Sequence, residues 1–326
     1  MTGPSAAVAA VRAAVREALA DLPNGSLVLV ACSGGADSLA LAAASAFVAP
    51  RAGLLAGAAV VDHGLQPGSN EVAVAAAAQC EGLGLRPVRL ERVMVAARGS
   101  GPEAEARTAR LTALERIAVD TGALAVLLGH TLDDQAETVL LGLARGAGAR
   151  SLAGMAAVRG VFRRPLLDLD RATVHEACRL ARLEPWDDPS NADSGVARAR
   201  VRATVLPAIE AGLGPGVAAA LARTAAMLRD DADLLDHLAA ELMTAARVPS
   251  SEMVLEVSVL AAAPPALRRR VIRTAALEAG APATALSRAH VLAVDALLTH
   301  WHGQGPLHLP AVTAVRLGHH LTITHR

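Results

Sequence analysis

The chain reads as an α/β protein, a doubly wound parallel sheet followed by a smaller, mainly helical carboxyl-terminal domain. Three observations predict this. Between residues 26 and 145, short apolar runs alternate with longer segments of helical period, the pattern of a parallel sheet covered on both faces. The unusual polar stretches all fall where an apolar run ends, which is where a doubly wound sheet places its ligands. Beyond Gly216 helical sequence dominates, and only PLHLPAVTAVRLGHHLTIT at the end is strand-like.

Taken in order, Ser5 to Asp21 (SAAVAAVRAAVREALAD) predicts a helix. SLVLVAC is a short buried strand, and an Ala/Leu-rich helix opens near Asp37. GAAVVDH, RPVRLERVMV and ALAVLLGH are the second, third and fourth strands. Helices over Glu71 to Gly82, PEAEARTARLTALERIAVD and DDQAETVLLGLAR cover them. From Met155 the sequence MAAVRGVFRRPLL predicts a hairpin, followed by a helix from about Asp170 to Leu183 and an arginine-spaced helix after Asn191. AGLGPG, Ala211 to Gly216, is a linker by its glycine and proline content. The predicted domains are therefore residues 1–212 and 217–326.

A length of 326 residues fits two domains with real cores. All 31 basic residues are arginine and are balanced by 31 acids, which argues against a purely electrostatic nucleic-acid binder but allows local basic faces. Two Phe, two Trp and no Tyr argue against aromatic platforms for base stacking. Cys32, Cys80 and Cys178 are far apart and form no C-x-x-C pair. They predict neither a disulfide framework nor a zinc site and suit a reducing compartment. With no apolar run of membrane-spanning length, the expectation is a cytoplasmic protein with no membrane association.

The stretch VLVACSGGADSLAL, Val28 to Leu41, sets a glycine turn between a strand and a helix. Glycines let the backbone turn with its N–H groups inward, and a helix start adds partial positive charge, so the junction suits an anion. A turn that merely connects two elements is an equal reading of Ser33-Gly34-Gly35 in isolation. The Gly-Lys-Ser/Thr ending of a Walker loop is missing, and the chain has no lysine at all. A helix terminus contributes about 0.3–1 kcal/mol, whereas catalysis must lower a barrier by about 8–23 kcal/mol. A magnesium ion and positioned arginines must add to it. Asp62-His63-Gly64 follows the second strand, where His63 is as readily a satisfied loop histidine as a functional one. Gly129-His130 follows the fourth, and GHTLDDQAET then sets Asp133, Asp134 and Glu137 on the first turns of a helix. Helix capping explains one such acid; adjacent acids beside a histidine point to function. Arg198, Arg200 and Arg202, two apart, fan around a helix. Arg145 to Arg202 holds more arginines than acids, and Arg268, Arg269, Arg270 and Arg273 form a second cluster, a pattern suited to gripping RNA phosphates in patches.

The string SGGADS resembles the pyrophosphate loop of the N-type ATP pyrophosphatase (PP-loop) superfamily. SGGADS, VDHGLQPGS, EARTAR, GHTLDDQAETVLLGLARGAGARSLAGM, RRPLL and DDPSNAD followed by ARARVR stand in the order seen in bacterial tRNA(Ile)-lysidine synthetases. The resemblance covers about residues 26 to 207. It departs from the family pattern at Gln66, Leu111 and Gly142, where arginine, tyrosine and arginine are common, and at Ala199, where asparagine is common.

The resemblance implies a PP-loop ATP-binding catalytic domain and a tRNA-binding second domain. ATP would lie against Ser33, Gly34, Gly35, Ala36, Asp37, Ser38, Asp62 and His63, with Asp37 on Mg2+. Asp37, Asp133, Asp134 and Arg200 would be catalytic. The implied reaction adenylates the wobble cytidine of the CAU-anticodon tRNA(Ile) and joins free L-lysine to its carbon 2, changing the tRNA's specificity from Met to Ile. A homodimer is compatible with the sequence. A tRNA thiolase of the same superfamily and a non-catalytic, nucleotide-responsive RNA-binding protein are the alternatives.

Overall fold

A computed structural model describes residues 4–62, 64, 68–94, 102–189 and 195–326, without the side chains of 102–104. Helix α1 (Ala6–Ala18) is capped by Ser5, whose side chain accepts from the Val8 N–H. The alternating unit follows: β1 (Leu27–Ala31), α2 (Ala36–Arg51), β2 (Leu55–Asp62), α3 (Ser69–Gly82), β3 (Val88–Arg92), α4 (Pro102–Thr121), β4 (Ala125–Leu128) and α5 (Leu132–Ala144). Then come α6 (Ala149–Leu152), the hairpin of β5 (Val158–Arg159) and β6 (Phe162–Arg163), α7 (Arg171–Leu180) and α8 (Ala197–Arg200). A π-helical turn, Val201–Val205, joins α8 to α9 (Leu206–Leu213), and α10 (Val217–Ala246) begins after Gly214-Pro215-Gly216.

The strands form one sheet in the order β3-β2-β1-β4-β6-β5, parallel except for β5. Alternation along β1 explains why both faces are covered. Val28 and Val30 pack with α1, α2 and α3 residues such as Val15, Leu41 and Ala76. Leu29 packs on the other face with Leu114, Ile117 and Ala118 of α4. The chain winds outward from β1 to β2 and β3, then returns to place β4 on the other side of β1. The topological switch point therefore lies between β1 and β4, and a crevice opens at the carboxyl ends of those two strands.

The chain divides into two compact units, Met1–Leu228 and Arg229–Arg326, with the division part-way along α10. The second unit contains β7 (Met253–Glu256), α11 (Val257–Ala262), α12 (Pro265–Glu278), α13 (Arg288–Thr299), β8 (Leu307–Leu309), β9 (Val312–Leu317) and β10 (His320–His325). Its strands form an antiparallel sheet, β7-β10-β9-β8, packed on the helices through Leu255, Ile272, Leu297 and Leu321. The strand-like carboxyl end is as expected from sequence. β7 is not, because four residues directly preceding a helix carry too short a pattern to separate from it. Among the described residues no single helix is long and apolar enough to cross a membrane.

Candidate active site

The loop after β1 is held in one shape by its own hydroxyls. Gly34 has φ +85°, where a β-carbon is strained, and one there would also touch Ala76. Ser38 Oγ accepts from the Ser33 N–H (3.2 Å) and donates to the Gly35 carbonyl (2.9 Å), with Ser33 Oγ at 3.4 Å. The Trp186 N–H donates to the Gly34 carbonyl at 2.9 Å. Gly35 and Ala36 stand at the start of α2 and Asp37 in its first turn. Asp37 Oδ1 is buried without a hydrogen-bond partner, 3.3 Å from His175 Nε2 of α7. At the end of β4, a β-carbon on Gly129 would stand 3.1 Å from the Asp37 backbone and 3.2 Å from Ser38 N. Glycine there lets β4 close on the start of α2. Asp62, ending β2, is buried and accepts from the Gly64 N–H at 2.9 Å. His63 and Gln66 lie outside the described residues.

The acids of α5 meet arginines from three directions. Thr131 N–H and Oγ1 donate to Asp134 Oδ2 (2.9 and 3.2 Å), forming a capping box. Asp134 Oδ1 faces Arg171 (3.1 Å) and Arg202 (3.2 Å). Glu137, fully buried, accepts from Arg171, Arg198 and Arg202 at 3.2, 2.9 and 2.7 Å. Burial pushes the Asp134 carboxyl upward, but the Thr131 N–H, Arg171, Arg198 and His130 outweigh it and hold it below the usual carboxylate range. Arg198 and Arg202 are four apart and share one helix face. Arg200 points elsewhere, donating to the Gly195 carbonyl at 2.9 Å. Asp133 turns aside too, accepting the Arg171 N–H at 2.8 Å at the start of α7.

One cavity of about 390 Å³ collects most of these groups, with Glu137 buried behind Asp134 and the arginines rather than lining it. Ser33, Gly35, Ala36, Asp37, Ser38, Asp62 and Asp134 line it; Asp133 and Arg200 do not. Gly34 shapes the loop without lining the cavity. Sequence reasoning did not assign Arg107, Arg110, Arg171, His175, Arg198 or Arg202 to the site, yet all of them line it. The signal for two of them was available in EARTAR, which places Arg107 and Arg110 about one helical turn apart. Three departures from the family pattern are packing adjustments. Leu111 packs against the α4 core, and a β-carbon on Gly142 would meet Leu152 of α6 at 3.0 Å. Ala199 is buried.

One reading from sequence gains detail and one needs correction. The cysteines, distant in sequence, lie free in one buried cluster, with Cys32 Sγ 3.7 Å from Ser38 Oγ. Contact with Cys32 and burial push the Cys80 thiol up. Burial, with help from Asp37, pushes Cys178 up to about 11. The second arginine cluster is not an open basic face. Arg268 and Arg269 both pair with Asp295, Arg270 with Asp236, and Arg273 donates to the Leu286 carbonyl. α12 uses these charges to hold its neighbours because Arg268 and Asp295 are buried and must be paired.

Residues 9–209 match the family described as "PP-loop domain", and residues 255–322 match the "TilS substrate binding domain". The chain is 57% identical over 310 residues to the tRNA(Ile)-lysidine synthase of Thermobifida fusca, covering 95% of each chain. It is 51% identical over 351 residues to that of Streptomyces coelicolor, covering 98% of this chain and 99% of the relative. Among solved structures, the U34-tRNA thiolase NcsA from Methanococcus maripaludis, with its [4Fe-4S] cluster, matches at TM-score 0.57 and 19% identity, over 68% of this chain and 79% of its own. That likeness is one of fold. A PP-loop crevice at the switch point, together with identity above one half across nearly the whole chain, places this chain in the tRNA(Ile)-lysidine synthase family.

Proposed function

We propose that the chain joins free L-lysine to carbon 2 of the wobble cytidine in CAU-anticodon tRNA(Ile), through an adenylated tRNA and with release of pyrophosphate and then AMP. One observation carries this reading: Ser33 and Gly35 to Ser38 of the SGGADS loop line a single cavity at the β1/β4 switch point together with Asp134, Arg171, Arg198 and Arg202. The backbone of Ser33 to Ala36 and the start of α2 are suited to the β and γ phosphates. Asp37 fits a magnesium ion, because Oδ1 is a buried oxygen without a hydrogen-bond donor and magnesium takes one or two protein carboxylates with phosphate oxygens and water. When bound, the ion would neutralise phosphate charge.

The incoming amine must lose its proton before it attacks. Asp134, held ionised, would draw the ammonium form into the cavity but is a weak base; Asp133 is the alternative acceptor. Arg200, exposed, is proposed to meet the tRNA backbone. The target base lies in a single-stranded loop and can be splayed into the cavity without melting a duplex. Residues 1–212 would carry out the chemistry and residues 217–326 would hold the tRNA. The test is pyrophosphate release: with ATP present, release should depend on adding tRNA(Ile). No release in the presence of bound tRNA would favour a non-catalytic RNA-binding protein.

A further inference from the structure

The cavity contains one cation that the described fold leaves without a counter-charge. Arg110, on α4, lines the cavity, and its Nε is buried with no hydrogen-bond partner. Burial and the nearby charges of Arg107 and Arg198 all act against the guanidinium and lower its pKa. Arg171, Arg198 and Arg202 differ, since they share Asp134 and Glu137. Also lining the cavity is His130, whose Nδ1 is buried and has no partner. Guanidinium does not deprotonate in proteins, and an unpaired buried charge is strongly destabilising. A fold that keeps such a charge beside a ligand cavity leaves it for the ligand to complete.

We propose that Arg110 receives a phosphoryl group brought into this cavity, with the imidazole of His130 as a second donor beside it. The proposal rests on the ligase reading and deepens it. Guanidinium pairs with phosphate through parallel N–H···O bonds. Arg107, one turn away and lining the same cavity, adds further positive charge, which suits a multiply charged phosphate better than a singly charged carboxylate. The Ser33–Ser38 loop is suited to the pyrophosphate end of ATP, so the phosphoryl group left for Arg110 is the one that departs as AMP. A phosphodiester of the tRNA beside the modified base has the same chemistry and is the other possible source.

The experiment measures binding of AMP, inorganic pyrophosphate, lysine and a tRNA(Ile) transcript to the whole wild-type protein and to Arg110→Met and Arg110→Lys, by ligand-induced shifts in melting temperature. Arg110→Met should melt no lower than wild type without ligand, because it removes an unpaired charge. It should bind AMP at least tenfold more weakly and pyrophosphate within twofold of wild type. Arg110→Lys should recover part of the AMP affinity, having charge without the fork. A tenfold loss confined to the tRNA would support the same phosphoryl site with RNA as the source. Unchanged AMP and tRNA affinity with pyrophosphate binding retained would overturn this proposal alone. A loss confined to lysine would reassign the site to a carboxylate, and a clearly lower melting temperature of ligand-free Arg110→Met would show that the charge was already satisfied. Either overturns it. A wild-type protein that binds neither AMP nor pyrophosphate overturns the ligase reading as well.

Discussion

Burial lowers the His130 pKa to about 3; Asp134 pulls the other way, but Arg164, Arg110 and Arg107 reinforce the lowering. The pH–rate profile should therefore show no step from this imidazole near neutral pH. Its folded pKa lies below the unfolded value of about 6.5, so the unfolded chain binds more protons. This contribution to stability is complete above about pH 6.5 and declines as pH falls towards about 3. His130→Gln should lose less stability than wild type between pH 7 and pH 5, as read from urea midpoints; an equal loss would show that the imidazole is not held neutral. Asp37→Ala should leave the fold intact and reduce adenylation by at least about 10²-fold, the scale of losing one preorganised charge contact. Full turnover by the folded variant would contradict the phosphate-loop assignment. Changing Cys32, Cys80 and Cys178 together to Ala should cost some stability, since all three are buried, while lysine transfer continues. A lysine ligase has no use for a thiolate, whereas a thiolase carrying sulfur on cysteine would stop.

At the scale of elements, α5 and the α8–α9 run form one unit through Glu137. Replacing Glu137 with Leu would leave three arginines around a buried site without their shared carboxylate, at a cost of about 3–5 kcal/mol. Chemical denaturation measures this, and a change below about 1 kcal/mol would mean that the cluster is solvated rather than dry. The individual elements were legible because apolar runs and helical periods are local signals: β1, α3 and α5 lie close to where their sequences place them. Which arginines face the acids was not legible. Arg198, Arg200 and Arg202 look equivalent in sequence, and helix phase, with a π-helical turn following Arg200, selects the outer two. Arg171 was hidden for a related reason. Its part in the site depends on α7 starting against Asp133, a contact between residues 38 apart in sequence.

For the whole molecule, the cavity proposed to hold the nucleotide is lined by residues between Ala31 and Arg202, all within the first compact unit. Removing residues 217–326 should therefore weaken tRNA binding much more than ATP binding; equal losses would contradict the proposed division of labour. The doubly wound architecture and the location of its crevice could be read in advance, because strand ends and glycine turns coincide in sequence. The recruitment of β7 into the second unit's sheet and the internal pairing of Arg268, Arg269 and Arg270 could not, since both depend on partners brought together only by folding. The most direct test of the account is mass analysis of nucleosides from tRNA(Ile) transcript incubated with the protein, ATP and isotopically labelled lysine. The account predicts that the wobble cytidine gains the mass of one labelled lysine less one water, only when ATP is present. An unmodified wobble cytidine in tRNA bound by folded, ATP-binding protein, or a mass gain corresponding to sulfur, would contradict it.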